Sequence, residues 1–166
     1  MRVSRKLLVT AGLLTAAPLS IAGQVSTPFA VTATVVRGCA IAATNLAFGV
    51  YPAIASPPTL LATSTIRVTC ALGDTYTIGL NNGVNAGGGP SAQRRMARTT
   101  APVNYLAYNL FRDAARTQNW GDTGPTRVSA TGTGAAQTYT VFGQLPGSQV
   151  VPVGAYVDTV TVTVRN

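Results

Sequence analysis

The sequence predicts an all-β fold, a sandwich of short antiparallel strands, and three observations support this prediction. Short stretches rich in Val, Ile, Thr and aromatic residues alternate between apolar and polar side chains, as strands with one buried face do. Glycine, proline and asparagine separate these stretches, for example in the Asn-Asn-Gly turn signal at 81–83. No stretch shows sustained helical periodicity, so the strands are expected to pack against each other.

The first 23 residues have the layout of a cleavable signal peptide. Three basic residues precede an apolar run at 7–17, Pro18 ends this run, and small residues follow. The run is too short for a membrane-spanning helix, which needs about 20 apolar residues. We therefore expect export, cleavage after Ala22 or Gly23, and a single-domain mature chain with no membrane span.

Strand signals follow one another along the mature chain. The candidates, in order, are 25–36, 39–42, 46–49, 60–71, 75–80, 103–111, 138–145 and 156–165. One face of the first candidate carries its larger apolar side chains together with an alanine, namely Phe29, Val31, Ala33 and Val35.

Cys39 and Cys70 are the only cysteines. An even count in an exported chain predicts a disulfide, which would close a loop of about 30 residues. A metal site or a redox pair is the alternative. The disulfide is favoured because two cysteines without histidine offer too few zinc ligands, and their spacing is not Cys-x-x-Cys.

Segment 25–36 has two interpretations. It is either the first strand of its own domain or a strand that fills a gap in a neighbouring copy of the chain. Only Arg37 and Gly38 join it to the candidate strand at 39–42, and the candidate at 156–165 runs almost to the last residue. A spare strand at one end and a missing strand at the other, which would leave an unpaired edge, favour donation between subunits.

Residues suited to catalysis are few. Without His, and without Glu, the general bases reduce to four aspartates, Asp74, Asp113, Asp122 and Asp158. No Ser-His-Asp or Cys-His arrangement is possible. Asp122 begins an Asp-Thr-Gly sequence like that of acidic proteases, but these residues are also ordinary in turns. We expect no enzyme activity, no cofactor, and no catalytic or metal-binding residue.

Arg94, Arg95 and Arg98 form the densest basic cluster of a mature chain whose nine arginines and four aspartates leave a net charge of +5. Such a cluster can bind an anionic partner. No stacking aromatic residues are interleaved with these arginines, so we expect a solvated basic loop and no nucleic-acid partner. Tyr105, Tyr108 and Trp120 are expected in the core or on a sheet face rather than on a platform for a ligand.

Several motifs occur in a fixed order along the mature chain. They are Cys39, Leu46-x-Phe48-Gly49, Ile66-x-Val68-x-Cys70, Arg95-Met96, Leu106-x-Tyr108-Asn109-Leu110-Phe111-Arg112-Asp113, Ala114-Ala115-Arg116, Trp120-Gly121, Val141-Phe142-Gly143-Gln144-Leu145-Pro146 and Gly154-x-Tyr156-x-Asp158-x-Val160-x-Val162-x-Val164. Through their order and spacing, the chain resembles the spore coat protein U domain family, which includes pilins of the archaic chaperone–usher pathway.

The resemblance implies an incomplete immunoglobulin-like β-sandwich that lacks its last strand. In this family a periplasmic chaperone lends a strand, and an outer-membrane usher exchanges it for the N-terminal segment of the next pilin subunit. Carried over by position, the donor residues are Phe29, Val31, Ala33 and Val35, and the disulfide is Cys39–Cys70. A departure is Pro28, which cannot donate a ladder hydrogen bond and is expected to mark where the inserted strand begins.

The resemblance also implies a division of the chain and a function. We expect a signal peptide at 1–23, a donor-strand extension at 24–38 and a pilin domain at 39–166. The expected function is that of a structural pilus subunit, exported through the periplasm to a cell-surface fimbrium that serves adhesion and biofilm formation. The alternative is a secreted carbohydrate- or surface-binding module that acts alone, which would purify as a stable monomer rather than as a chaperone complex or polymer.

Overall fold

The computed structural model describes residues 26–87 and 93–166, and this part of the chain is all-β, as predicted. The strands are β1 (Cys39–Ala43), β2 (Leu60–Cys70), β3 (Thr75–Leu80), β4 (Arg95–Arg98), β5 (Tyr105–Ala107), β6 (Asn109–Phe111), β7 (Val128–Thr131), β8 (Gln137–Leu145), β9 (Tyr156–Val157) and β10 (Val162–Arg165). A short 3-10 helix, Gly124–Thr126, precedes β7. The expected signal peptide at 1–23 lies outside the described residues.

The chain divides into two units, one that ends at Thr34 and one from Val35 to Asn166. In the described part of the first unit, residues 26–34, no residue belongs to a strand and the side chains are exposed. The second unit contains three antiparallel sheets with the strand orders β1-β2-β8-β6, β10-β3-β7 and β5-β4-β9.

Strand alternation places the core. In β2 every second residue from Ser64 to Cys70 is buried, while the residues between them are exposed or half-buried. β8 pairs with most of β2, and Val141 of β8 is opposite Ser64. The inward residues of these strands form one apolar cluster with Tyr76, Ile78 and Leu80 of β3. Each fully buried aliphatic side chain contributes about 1.5–3 kcal/mol to folding.

Trp120 joins the segment after β6 to two sheets through hydrogen bonds to β3 and β6. Its side chain is almost fully buried, and its indole N–H donates to the carbonyl of Ile78 at 3.0 Å. Its backbone N–H donates to the carbonyl of Leu110 at 2.9 Å. Trp120 and Tyr108 therefore lie in the core, whereas Tyr105 is an exposed residue of β5 on a sheet face.

The disulfide between Cys39 and Cys70 is confirmed. The two cysteines are opposite each other at the start of β1 and the end of β2, where they form the first pair of the β1–β2 ladder. The bond therefore joins the beginning of the folded unit to a central strand of its four-stranded sheet.

Replacement of both cysteines by serine is expected to lower the free energy of unfolding by roughly 3–4 kcal/mol in the chain-entropy model. The bridged residues are 31 positions apart, so the loop that the bond closes in the unfolded chain is long. Urea unfolding of the oxidised protein and of the double variant measures the difference. A loss below about 1 kcal/mol would mean that the ladder alone holds β1 in place.

The predicted strand at 103–111 is two strands, because the chain changes sheets at Tyr108. β5 pairs with β4 in the third sheet, whereas β6 pairs with β8 in the first. Between them, the backbone N–H of Tyr108 donates to the carbonyl of Arg94 at 3.0 Å. Bends of this kind let one strand contribute to two packed sheets.

The predicted strand at 156–165 is also divided, into β9 and β10. The backbone groups between β9 and β10 form hydrogen bonds with the turn that follows β3. Asn81 donates its N–H to the carbonyl of Thr161 at 3.1 Å, and Val84 donates to the carbonyl of Thr159 at 3.1 Å. The side chain of Asn81 accepts the N–H of Thr161 at 2.8 Å.

Two further predictions of local structure are wrong. Residues 46–49 form no strand, because Leu46 and Phe48 instead lie across β8, where Gly143 leaves space for them: a Cβ on Gly143 would lie 2.9 Å from the Leu46 side chain. The basic stretch predicted as a solvated loop contains β4, which pairs with both β5 and β9. β7 was not among the predicted strands.

Candidate functional site

A cleft opens between β1 and β10, the first and last strands of the second unit. β1 is an edge strand of the four-stranded sheet and β10 an edge strand of the second sheet. In the part of the chain that the structure describes, no strand pairs with the outer edge of either one. The cleft that they border has a volume of about 500 Å³. Unpaired strand edges offer free backbone donors and acceptors to an additional strand.

The walls of the cleft are mainly apolar. Side chains of the core line it, together with residues from the segments that follow β1 and β9, among them Leu46, Phe48, Ile66, Val141, Val160 and Val162. Leu46, Phe48, Val160 and Val162 are only partly buried although they pack against the core. An extended segment with apolar side chains on one face could therefore bury further surface in this cleft.

A polar network holds one end of the cleft. The hydroxyl of Tyr108 donates to Asp158 at 2.7 Å, and the other oxygen of the same carboxylate accepts the backbone and side-chain N–H groups of Asn85, each at 3.1 Å. Burial, and then the hydrogen bond to Asp158, raise the pKa of Tyr108 well above its ordinary value. Tyr108 therefore remains a donor at physiological pH and fixes the segment between β9 and β10.

Arg94 is a buried structural residue rather than part of a solvated loop, which corrects the prediction from the sequence. It is 1% exposed. Its guanidinium donates to three carbonyl groups, those of Leu80, Asn81 and Trp120, at 2.8 Å each. Burial lowers its pKa to about 10, while Tyr108 and Asp158 act in the opposite direction, so Arg94 is charged at neutral pH. It joins the end of β3, a wall of the cleft, to the Trp120 segment.

The other two arginines of the predicted basic cluster are half-buried. Arg95 donates to the carbonyl of Asn85 at 2.7 Å, and its guanidinium stacks over the ring of Tyr105 at 3.7 Å. Arg98 donates to the carbonyl of Val153 at 2.6 Å. Arg95 and Arg98 thus each form a hydrogen bond with a loop next to β4. The three arginines do not form one solvated basic patch.

An ion-pair cluster anchors β10. Arg165, the last residue of this strand, forms a two-pronged contact with Asp122, with N–O distances of 2.5 Å and 2.9 Å. Arg127 contacts the same carboxylate at 3.3 Å. The hydrogen bond from Arg165 is the main cause that lowers the pKa of Asp122. The cluster therefore connects the cleft-bordering strand to the loop before β7.

The stability of the protein is expected to fall only below about pH 4. The pKa of Asp122 is lowered in the folded state, so its contribution is present above the ordinary carboxyl pKa and is lost as the pH falls through the lowered value. The chain contains no His and no Glu, so few of its groups titrate between pH 5 and 8. Melting temperatures from pH 2 to pH 8 measure this profile. Asp122→Asn should reduce the fall in melting temperature at acid pH. An unchanged fall would mean that other aspartates cause it.

The predicted donor residues lie in the N-terminal segment. Phe29, Val31 and Val35 are 84%, 83% and 94% exposed, respectively, and Ala33 is exposed as well. In the described ranges, residues 26–38 form no strand. The cleft itself was not predicted residue by residue. Its lining combines positions from distant stretches, such as 46–48 and 157–160, which only the fold brings together.

The described residues contain no group of three or more His, Cys, Asp or Glu side chains that could hold a metal ion. Among the same residues there is no helix with the length and hydrophobicity to span a membrane.

Comparison with known proteins gives consistent matches. The Spore Coat Protein U domain matches residues 25–163. Protein U of Myxococcus xanthus is 35% identical over 127 residues, which are 72% of this chain and 70% of that protein.

Solved structures add a likeness of fold. One chain in the crystal structure of the CsuC–CsuE complex matches with a TM-score of 0.57 and 25% identity, over 80% of this chain. That complex is described as a chaperone–tip adhesion subunit pre-assembly complex from archaic chaperone–usher Csu pili of Acinetobacter baumannii, and this chain spans 41% of the matched chain. A weaker likeness, with a TM-score of 0.40 and 16% identity over 75% of this chain and 79% of that one, is to HdaB, the minor tip subunit of the E. coli Hda pilus.

The predicted sandwich fold is confirmed by the likeness to the CsuC–CsuE complex. The domain match extends over most of the chain beyond residue 24, and the M. xanthus protein is related over two thirds or more of both sequences. The chain belongs to the spore coat protein U domain family.

Proposed function

We propose that the protein is a structural subunit of a chaperone–usher pilus, in which the cleft of one subunit receives the N-terminal segment of the next. The observation that carries the proposal is the apolar cleft between two unpaired strand edges, β1 and β10. The likeness to a chain from a chaperone–pilin complex supports it. An inserted strand would complete both the backbone pairing and the core.

The N-terminal segment has the properties of such a strand. Phe29, Val31 and Val35 are large apolar side chains with the same alternation, and all three are exposed. Burial of each in a neighbouring cleft would contribute about 1.5–3 kcal/mol as an upper estimate. Hydrogen bonds to the edges of β1 and β10 would add to this energy and fix the direction of the inserted strand.

The proposal assigns partners to successive steps. A periplasmic chaperone first covers the cleft, because an open apolar cleft with unpaired edges invites aggregation. An outer-membrane usher then exchanges the chaperone strand for the N-terminal segment of another subunit. The product is a surface fimbrium, and adhesion and biofilm formation are the functions that we assign to it.

A chain that starts at Arg37 tests the proposal, because it keeps the cleft and lacks the donor segment. On its own, this shortened chain is expected to aggregate or to melt at a low temperature. A synthetic peptide of residues 26–38 should restore a soluble complex with a higher melting temperature, whereas the same peptide with Phe29→Asp and Val31→Asp should not. A two-state, concentration-independent melt of the shortened chain, unaffected by either peptide, would contradict the proposal and favour a binding module that acts alone.

A further inference from the structure

The outer face of the four-stranded sheet carries threonine hydroxyls, a guanidinium group and a few apolar side chains such as Leu61, and its strands contribute no acidic side chain. Three cross-strand pairs of β2 and β8 form its centre: Thr63 with Phe142, Thr65 with Thr140, and Arg67 with Thr138. Burial alternates along both strands, so these six residues point away from the core. The edge strand β1 continues the face with two alanines, at positions 40 and 42, which leave it flat.

Two arginines on this face have no carboxylate partner among the described residues. Arg67 is exposed, and none of the described residues forms a hydrogen bond or an ion pair with its side chain. Arg116 donates to the carbonyls of Gly143 and Ala114, and its guanidinium lies 5.8 Å from the centroid of the Phe142 ring. Neither guanidinium is neutralised by a carboxylate of the described residues, although Arg116 is half-buried and already donates two hydrogen bonds.

The aspartate that follows the edge strand β6 already accepts several hydrogen bonds. Asp113 follows β6, and its carboxylate accepts the backbone N–H groups of Thr117 and Gln118 as well as the hydroxyl of Thr117. Arg116 donates its backbone N–H to the Asp113 carbonyl rather than its side chain to the carboxylate. These donors are neutral, so the Asp113 carboxylate keeps its negative charge. Two arginines against this one aspartate still leave the face with a net positive charge.

We propose that this face binds an acidic polysaccharide, a sugar polymer with carboxylate groups. Guanidinium groups pair with carboxylates through two parallel hydrogen bonds, and threonine hydroxyls can exchange hydrogen bonds with sugar hydroxyls. Arg67 is opposite Thr138 of β8, and Arg116 lies over the ring of Phe142 in the same strand. Thr138 and Phe142 are four residues apart, which is about 13 Å along a strand. A single extended polymer along β8 can thus engage both charges.

The same observations favour a polysaccharide over a nucleic acid. Grooves for single-stranded nucleic acid stack bases on exposed aromatic rings. On this face Phe142 is half-buried beneath Arg116. Threonine, whose hydroxyl both donates and accepts, is the commonest residue among the six central positions.

This inference does not depend on strand exchange. The cleft is lined by inward positions such as Ile66 and Val141, whereas the proposed binding residues alternate with them on the opposite face. Filling the cleft therefore leaves the face accessible. A failure of polysaccharide binding would leave the proposed pilus function intact, and the reverse also holds.

The test compares Thr140→Asp with Thr75→Asp in the full exported chain. Both threonines are exposed strand residues, so the two variants share the change in charge and in residue type, but Thr75 belongs to β3 in the second sheet. The probe is polygalacturonate, and binding is measured by co-sedimentation at several salt concentrations. Arg67→Gln is the second variant. It removes the guanidinium charge and keeps a polar side chain at an exposed position, so it should not disturb folding.

We expect wild-type binding that weakens with salt, a loss of about two- to fivefold for Thr140→Asp and for Arg67→Gln, and near-wild-type binding for Thr75→Asp. Equal losses for the two aspartate variants would reduce the effect to net charge and overturn the proposal. Equal binding to neutral dextran, tighter binding to duplex DNA, or no binding to polygalacturonate at low salt would also overturn it.

Discussion

Phe29→Asp and Val31→Asp are each expected to abolish surface fibres while leaving the periplasmic complex of subunit and chaperone at its normal level. Each change would place an unpaired charge in the apolar cleft of a neighbouring subunit, which is strongly unfavourable. The subunit's own fold should survive, because both side chains are exposed in the structure of the single chain. Expression with chaperone and usher, followed by quantification of fibres and of periplasmic complex, measures the effect.

Thr32→Asp is the matched control for these variants. Thr32 lies in the same segment and is exposed, but it alternates with Val31 and belongs to the opposite face of an extended strand. Near-normal fibres are expected, since its side chain would point away from the neighbouring core. If the two inward variants instead lost the periplasmic complex, the segment would belong to its own domain and the exchange hypothesis would be wrong.

The strands with strong β-branched alternation could be predicted almost to the residue. β2 and β3 were expected at 60–71 and 75–80, and they occupy Leu60–Cys70 and Thr75–Leu80. In both, apolar side chains recur at every second position and turn residues follow, so local pattern and tertiary packing favour the same structure. The Cys39–Cys70 bond could be predicted equally well, because two cysteines in one chain allow only one intramolecular pairing.

The interruptions within strands could not be predicted, since distant residues cause them. Val157 and Val162 belong to one alternating run in the sequence, but the hydrogen-bonding groups between them are taken up by the turn at 81–85. The site shares this limitation. Segment 25–36 shows its alternation locally, whereas the cleft proposed to receive it is assembled from at least six stretches of chain.

Arg94 shows the same limitation for a single residue. In the sequence it is the first of three closely spaced arginines, which are typical of a solvated surface. In the structure Arg94 is 1% exposed while Arg95 and Arg98 are half-buried. The difference arises because the carbonyls of Leu80, Asn81 and Trp120 converge on one point beside the end of β3. No local pattern encodes that convergence.

Arg94→Met is accordingly expected to destabilise the folded unit by about 3 kcal/mol or more. The substitution keeps an apolar stem of similar length but removes the donors for three carbonyl groups, two of them in bonds that are fully buried. Buried acceptors left without a donor cost about 1–3 kcal/mol each. Leu80, the last residue of β3, lines the cleft, so the variant should also yield less chaperone complex. Urea unfolding and the yield of periplasmic complex provide the two measurements.

Arg67→Met is the control with the same chemical change at an exposed position. Arg67 lies on the outer face of β2, where a surface substitution usually alters stability by no more than about 0.5 kcal/mol. A large difference between the two variants would establish Arg94 as the residue that holds β3 to the Trp120 segment. Equal and small losses would instead show that water or a shift of the backbone satisfies the three carbonyls when the guanidinium is absent.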